Sequence, residues 1–197
     1  LDKVLALFDF DGTITTKDTL LELIKFHKGK SGFYAGLLQL SPYVALQKAG
    51  VINAQQLKEK FISFFWKGIS AAEFKLLGES FVKEKLPAML RPLALAKIAE
   101  YKKLKYEVAI VSASAEEWVK PFCDAQGITC ISTRLEKKDG RLTGKLDGKN
   151  CNKEEKVQRV ELYFGIKNYQ QIIAFGDTSG DLPMLAIASE SNFKPFR

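Results

Sequence analysis

Two short segments of this chain carry acidic side chains at spacings suited to cation binding and proton transfer. They are Asp9-Phe10-Asp11-Gly12-Thr13 and Gly176-Asp177-Thr178-Ser179-Gly180-Asp181, and each follows directly on an apolar run. Carboxylates one residue apart repel, so one can stay protonated as an acid while the other stays ionised. A divalent cation would offset that repulsion and favour the ionised form of its ligand. Asp177 and Asp181 add two more carboxylates, and neither segment contains a histidine or an arginine. An oxygen-only donor set of this kind suits Mg²⁺. Alone, Asp-x-Asp-Gly-Thr reads equally well as a turn with capping aspartates; the second acidic segment behind a second apolar run favours a site. Ser112 ends a further apolar run, where a hydroxyl and the following backbone N–H groups can hold a phosphate, although a lone serine there is more often a turn or cap residue. Lys156, near the start of a helical stretch, can place positive charge on the same anion, with Lys153 as the alternative. A single helical lysine is usually only a solvated side chain.

The elements that must position these residues follow from patterning. Val4 to Phe8, Val108 to Val111 and Ile172 to Phe175 are continuous apolar runs without polar alternation, which suits strands of a parallel sheet buried on both faces. In open α/β sheets ligands bind beyond the carboxyl ends of the strands, so the three polar clusters are expected to converge. The fold class expected is α/β, a doubly wound, Rossmann-like parallel sheet. A fourth strand is expected near Ile128 to Ser132. Asp139-Gly140 marks a β-hairpin turn within 134–146, expected to project from the sheet. Helices are expected over Pro92 to Lys105 and Lys153 to Gly165, and another opening at a Ser114/Glu117 capping box, kinked or shortened by Pro121.

Residues 16–88 carry no buried-strand signature and read as four helices: Thr19 to Phe26, Phe33 to Lys48, Ala54 to Trp66 and Ala71 to Lys85. A crossover between strands needs far fewer residues. The segment is therefore expected to be an inserted helical cap over a core of 1–15 and 89–197, with hinges near Thr15 to Asp18 and Leu86 to Pro92. The apolar stretch Phe33 to Ile52 is interrupted by Gln39, Ser41-Pro42, Gln47 and Lys48, too often for a membrane span. It is expected to be a buried cap helix, with contact to acyl chains or a membrane interface as the sharper alternative.

A length of 197 residues allows one domain or a core with an insertion. The formal charge of +7 is compatible with an anionic substrate, an anionic membrane surface or nucleic acid. Its densest grouping, Lys97 to Lys105, has the pattern of a solvated helix face. Nucleic-acid binding is not expected, because no basic strand face carries interleaved aromatics. Three cysteines without metal-type spacing argue against a disulfide framework, and the absence of a visible signal peptide adds to a cytoplasmic expectation, peripheral membrane contact included. The single His27 disfavours zinc and Ser-His-Asp schemes.

Asp9-Phe10-Asp11-Gly12-Thr13, Ser112, Lys156 and the run from Gly176 to Leu185 together resemble the four motifs of the haloacid dehalogenase superfamily, in order and across nearly the whole chain. Val111-Ser112-Ala113-Ser114, Asp139 to Gly144 and the intervening helical segment look like the branch related to phosphoserine phosphatase. The resemblance implies that Asp9 is a covalent nucleophile forming an aspartyl-phosphate and Asp11 the general acid and base. It implies Mg²⁺ on the carboxylates of Asp9 and Asp177 and the backbone carbonyl of Asp11, supported by Asp181. Ser112, Ala113, Lys156, Gly12 and Thr13 would line the phosphate pocket. The second aspartate, absent from the dehalogenases themselves, favours a phosphatase.

The expected substrate is a small phosphorylated metabolite. Asp18 approximates the acidic residue that phosphoserine phosphatases place after the first motif. Their cap arginine has no counterpart, since no arginine precedes Arg91, and Lys67 is an unequal substitute. Phosphoserine and a phospholipid head group of the phosphatidylglycerophosphate kind are alternatives. A non-catalytic phospho-ligand module is the remote one.

Overall fold

The structure, a computed structural model, describes residues 3–197; Leu1 and Asp2 of the expected core segment lie outside the described residues. Five parallel strands form the main sheet in the order β3-β2-β1-β6-β7: β1 (Val4–Phe8), β2 (Glu107–Ala115), β3 (Thr129–Thr133), β6 (Gln171–Gly176) and β7 (Glu190–Phe193). The strand order reverses at β1, so the crevice between β1 and β6 is the topological switch point of a doubly wound sheet. Every residue of β1 is buried. Val4, Ala6 and Phe8 pack into one hydrophobic layer, while Leu5 and Leu7 pack into the layer on the other face. That two-sided burial explains the unbroken apolar runs. Phe8 stacks on Phe175 of the neighbouring strand, ring centroids 4.4 Å apart.

Three helices follow one another within residues 16–88, namely α1 (Thr19–Lys48), α2 (Ala54–Trp66) and α3 (Ala71–Glu84). α1 runs through the two helices expected from sequence, broken at Gly29, whose φ of 70° is open to glycine at no steric cost. Pro42 cannot donate to the Leu38 carbonyl, and the Ser41 hydroxyl does so instead at 2.7 Å. The expectation of a buried helix after Phe33 is corrected here. Phe33, Gly36 and Leu40 are buried on one stripe, whereas Tyr34 is 63% and Leu38 76% exposed. Gly36 of that stripe packs against Phe64 and Phe65 of α2, and the opposite face is left to solvent.

The segments leaving and rejoining the sheet run side by side. Thr16 N–H donates to the Met89 carbonyl and Arg91 N–H to the Ile14 carbonyl, both at 2.8 Å. α4 (Pro92–Lys103) then leads into β2, burying Ala94, Ile98 and Tyr101 and turning its lysines outward. α5 (Glu116–Gln126) follows β2 directly. The expected Ser114/Glu117 capping box does not form: Ala115 is the N-cap, and the Ser114 hydroxyl is spent on Asp11. Pro121 neither shortens nor interrupts α5. Its missing N–H leaves the Glu117 carbonyl without its helical donor, and Gly78 of α3 packs against that oxygen; a Cβ at Gly78 would sit 2.2 Å from it.

The hairpin β4 (Leu135–Lys138) and β5 (Arg141–Leu146) turns at Asp139-Gly140 and forms a separate two-stranded sheet. It packs against α2, where Gly144 leaves room for Ser63. α6 (Glu154–Phe164) and α7 (Leu182–Ala186) cover the second face of the sheet. β7 has no counterpart among the expected elements. No helix among the described residues is long and apolar enough to cross a membrane.

Candidate active site

The carboxyl ends of β1, β2 and β6 bring Asp9, Ser112 and Asp177 to one crevice, all three buried. Oxygens of Asp9, Asp177 and Asp181 lie within 4.8 Å of one another. Lys156 reaches them from α6, where it shares the sheet-facing stripe with Val160 four residues on. Its ammonium donates to Asp9 Oδ1 at 2.6 Å, Asp181 Oδ1 at 2.7 Å and the Val111 carbonyl at 2.6 Å. Burial works against that charge, but Asp9 and Asp181 outweigh it and hold the Lys156 pKa above the ordinary lysine value. Lys153, the alternative, is exposed and lies outside this cluster.

Asp181 spends its other oxygen on the backbone N–H groups of Asp177 and Thr178 and on the Thr178 hydroxyl. It thus shapes the loop that carries Asp177. Although burial would raise its pKa, Lys156 and these donors hold it below the usual carboxylate range. Gly12, at a φ of +82°, lets the first motif press against Asp177; a Cβ there would lie 2.4 Å from Asp177 Oδ2. The Thr13 hydroxyl donates to Asp177 Oδ1 at 3.4 Å, and Arg197 pairs with Oδ2 at 2.7 Å.

Asp9 and Asp11 sit in different surroundings. Burial pushes Asp9 up to about 7 despite Lys156. Burial, then the neighbouring Asp18, pushes Asp11 up to about 6, against hydrogen bonds from Ser114 and Thr19. The Thr19 N–H donates to Asp11 Oδ1 at 2.6 Å and the Ser114 hydroxyl to Oδ2. Thr19 Oγ1 lies 3.2 Å from Ser114 Oγ and accepts from the Trp118 indole at 2.9 Å. This chain of donors fixes the Asp11 rotamer from two elements far apart in sequence.

Asp18 caps α1 by accepting from Leu21 N–H and stands at the rim beside Asp11. Lys67 is not brought to the cluster; it lines an outer groove with Tyr43, Gln56, Ser63 and Thr143. The lysine that does face the crevice is Lys58 of α2, which the sequence reading missed. Its ammonium donates to the Ala113 carbonyl and to Asn150 Oδ1, each at 2.7 Å. Burial pulls its pKa down to about 8, with Asp11 and Asp18 opposing. Asn150 is held by Thr133 Oγ1 and by Gln55 on α2. Lys58 and Asn150 had no local signature, and the one Ser114 carried pointed to a helix cap. His27 accepts from the Trp66 indole at 2.8 Å and has no part in the crevice.

Three buried carboxylates face two cations, Lys156 on Asp9 and Asp181 and Arg197 on Asp177, and burial pushes Asp9 up to about 7. An all-oxygen set in that condition fits a hard divalent cation. The chain matches the haloacid dehalogenase-like hydrolases over residues 6–186. The chain belongs to that family. It is 36% identical over 202 residues to the protein CicA of Caulobacter vibrioides, covering 100% of this chain and 88% of that one. A probable phosphatase of Mycobacterium tuberculosis is 30% identical over 203 residues, covering 98% of this chain and 69% of its own length. Among solved structures, a phospho-aspartyl intermediate analogue of phosphoserine phosphatase superposes with a TM-score of 0.69 at 25% identity, covering 95% of this chain and 84% of that one. A Bordetella pertussis protein of unknown function reaches a TM-score of 0.83 at 22% identity, covering 96% and 88%. Within the family, this chain is a hydrolase of phosphoric monoesters.

Proposed function

We propose that this family hydrolase cleaves a small phosphorylated metabolite through an aspartyl-phosphate on Asp9, with Mg²⁺ bound and Asp11 as general acid and base. The observation that carries this reading is the split between two aspartates one residue apart. Asp9 is tied to Lys156 on the floor of the crevice, and Asp11 is turned away onto Thr19 and Ser114. Such a split suits one carboxylate to attack and the other to exchange protons.

In the first step an Asp9 oxygen bonds to phosphorus while the phosphorus–oxygen bond to the leaving group breaks. Asp11 gives its proton to that leaving oxygen. Asp11, now ionised, takes a proton from water as the water oxygen attacks phosphorus. The acyl phosphate bond breaks, and phosphate leaves with the Asp9 carboxylate restored. Lys156 and the Ser112 hydroxyl hold the phosphoryl oxygens, with Gly12, Thr13 and Ala113 shaping the pocket. The carboxylates of Asp9 and Asp177 and the Asp11 carbonyl would hold Mg²⁺, which when bound keeps Asp9 ionised and neutralises phosphoryl charge. Asp181 supports that set through Lys156 and the Asp177 backbone.

Residues 16–88 would act as a cap over a core of 1–15 and 89–197, opening about the paired segments near Thr16 and Met89 to admit substrate and closing to exclude water. The exposed Tyr34 and Leu38 favour a second reading, an amphiphilic phosphate ester met at a lipid surface.

Hydrolysis of an aryl phosphate with and without Mg²⁺, in the native chain and in Asp9→Asn, tests the first reading. Turnover should require Mg²⁺ and fall at least about a thousandfold in the variant. Turnover that survives in Asp9→Asn would overturn the nucleophile. Stimulation by anionic vesicles would move the substrate toward the amphiphilic class, and silence toward a broad ester panel would return the non-catalytic module.

A further inference from the structure

Residues 194–197 return from β7 to the crevice, and their backbone is held on the way. Lys194 adopts φ 56°, and its N–H donates to the Gly176 carbonyl at the end of β6, at 2.8 Å. Phe196 stacks on Phe175 of β6, ring centroids 5.3 Å apart, and on Phe8 of β1 at 6.4 Å. Arg91 Nη1 donates to the Phe196 carbonyl at 3.2 Å, while Arg91 Nε donates to the Thr15 carbonyl at 3.3 Å. From this anchored backbone the Arg197 guanidinium reaches Asp177 Oδ2 at 2.7 Å. The two cations of the cluster are thus bound very differently. Lys156 is 1% exposed and spends three donors on fixed acceptors. Arg197 makes one ion pair, is 48% exposed and can swing into water while Phe196 stays in place.

We propose that Arg197 and a divalent cation are alternative partners of Asp177, so that Arg197 sets the affinity of the metal site and leaves it when the ion binds. This inference rests on the Mg²⁺ reading above. Charge supports it: Mg²⁺ and Lys156 together match the three carboxylates of Asp9, Asp177 and Asp181, which makes Arg197 surplus once the ion is bound. Proximity supports it too. Mg²⁺ lies about 2 Å from the oxygens it binds, so an ion on Asp177 and a guanidinium on the same carboxylate repel at short range. A half-exposed ion pair is weak enough for the ion to displace.

The test is a calorimetric titration of MgCl₂ into the native chain and into Arg197→Gln, with no ester present. The Mg²⁺ Kd should tighten about three- to fivefold in the variant, as removal of a half-exposed competitor allows. Arg197→Lys, which keeps the charge, should stay near the native Kd. Lys194→Gln removes a charge from the same segment, where the ammonium lies over the Phe193 ring, and should leave Kd within about twofold. Thermal unfolding gives a second readout. Arg197→Gln should melt below the native chain without Mg²⁺ and level with it at saturating Mg²⁺, because the lost pair is absent from the loaded protein in any case. A weaker Kd in Arg197→Gln, or a melting deficit that persists at saturating Mg²⁺, overturns the proposal: the pair then survives metal binding and supports it. Binding with equal Kd in both proteins faults the proposal alone. If neither protein binds Mg²⁺, the metal reading falls and the proposal falls with it.

Discussion

Two lysines from different elements, Lys156 of α6 and Lys58 of α2, donate to carbonyls of β2 two residues apart, and their other partners differ. Lys156 comes from the core, is 1% exposed and is ion-paired to two aspartates. Lys58 comes from the helical segment and is held by two neutral oxygens. Burial acts against both charges. It prevails at Lys58, whose pKa drops to about 8, and is overruled at Lys156, whose pKa stands above normal. A lysine matched to fixed carboxylates belongs to the resting protein, whereas one without a counter-ion is poised for something that arrives. The Lys156 charge is thus met by carboxylates of the chain itself, and the Lys58 charge is not.

The sharpest way to break this contrast is to remove each cation in turn and measure stability. Lys156→Gln leaves Asp9 and Asp181 buried without their shared partner and should cost about 3–5 kcal/mol. Lys58→Gln keeps a donor for Ala113 and Asn150. Because the folded pKa of Lys58 lies below its unfolded one, the charge costs stability at neutral pH, so this variant should stay within about 1 kcal/mol of the native chain. Comparable losses in denaturant titrations of the two variants would erase the distinction.

A second test asks whether the floor carries surplus negative charge. Asp9 and Asp11 have folded pKa values of about 7 and about 6, above the ordinary 3.8. The folded metal-free protein therefore binds more protons than the unfolded one between about pH 4 and 7. Stability conferred by these groups is present below that window and lost as pH rises through it. Metal-free protein should melt higher at pH 5 than at pH 7, Asp11→Asn should gain on the order of 1–2 kcal/mol at pH 7, and Mg²⁺ should flatten the pH slope. A metal-free slope of the opposite sign would mean that Lys156 and Arg197 already neutralise the cluster.

The two sides also differ in how legible they were. β1 and β6 announce themselves because burial on both faces forces unbroken apolar runs, and the polar residues that end them lie at the crevice. The sheet-facing stripe of α6 is visible in the four-residue step from Lys156 to Val160. Lys58, Asn150 and Ser114 are not visible, because their partners lie 55, 92 and 103 residues away. Such contacts arise only when α2 and the Asp11 turn close on the core. Ser114 shows how a local signal misleads. Its spacing to Glu117 fits a capping box, yet a buried carboxylate competes for the hydroxyl and wins. β7 was hidden for another reason, since Glu190-Ser191-Asn192-Phe193 is a short, polar edge strand with only one neighbour. The outer face of α1 was misjudged because apolar content says how much surface could be buried and not whether a partner element exists to bury it.

A third lysine offers the smallest effect and the finest discrimination. Lys153 begins α6 at φ 53°, ψ −128°, a combination that a side chain disfavours, while its N–H donates to the Gly180 carbonyl at 2.9 Å. The loop carrying Asp177 is thereby tied to the helix carrying Lys156, and the backbone strain is tolerated to make that tie. Lys153→Gly keeps the N–H and relieves the strain, at the cost of a more flexible unfolded chain. It should gain about 0.5–1 kcal/mol in thermal or denaturant unfolding and keep kcat/KM within about twofold. A large drop in turnover would mean that the exposed Lys153 side chain, and not Lys156 alone, meets the phosphoryl group when substrate binds. Unchanged turnover with raised stability would leave Lys153 a backbone anchor whose side chain is dispensable, and Lys156 the only one of the two that acts on the phosphoryl group.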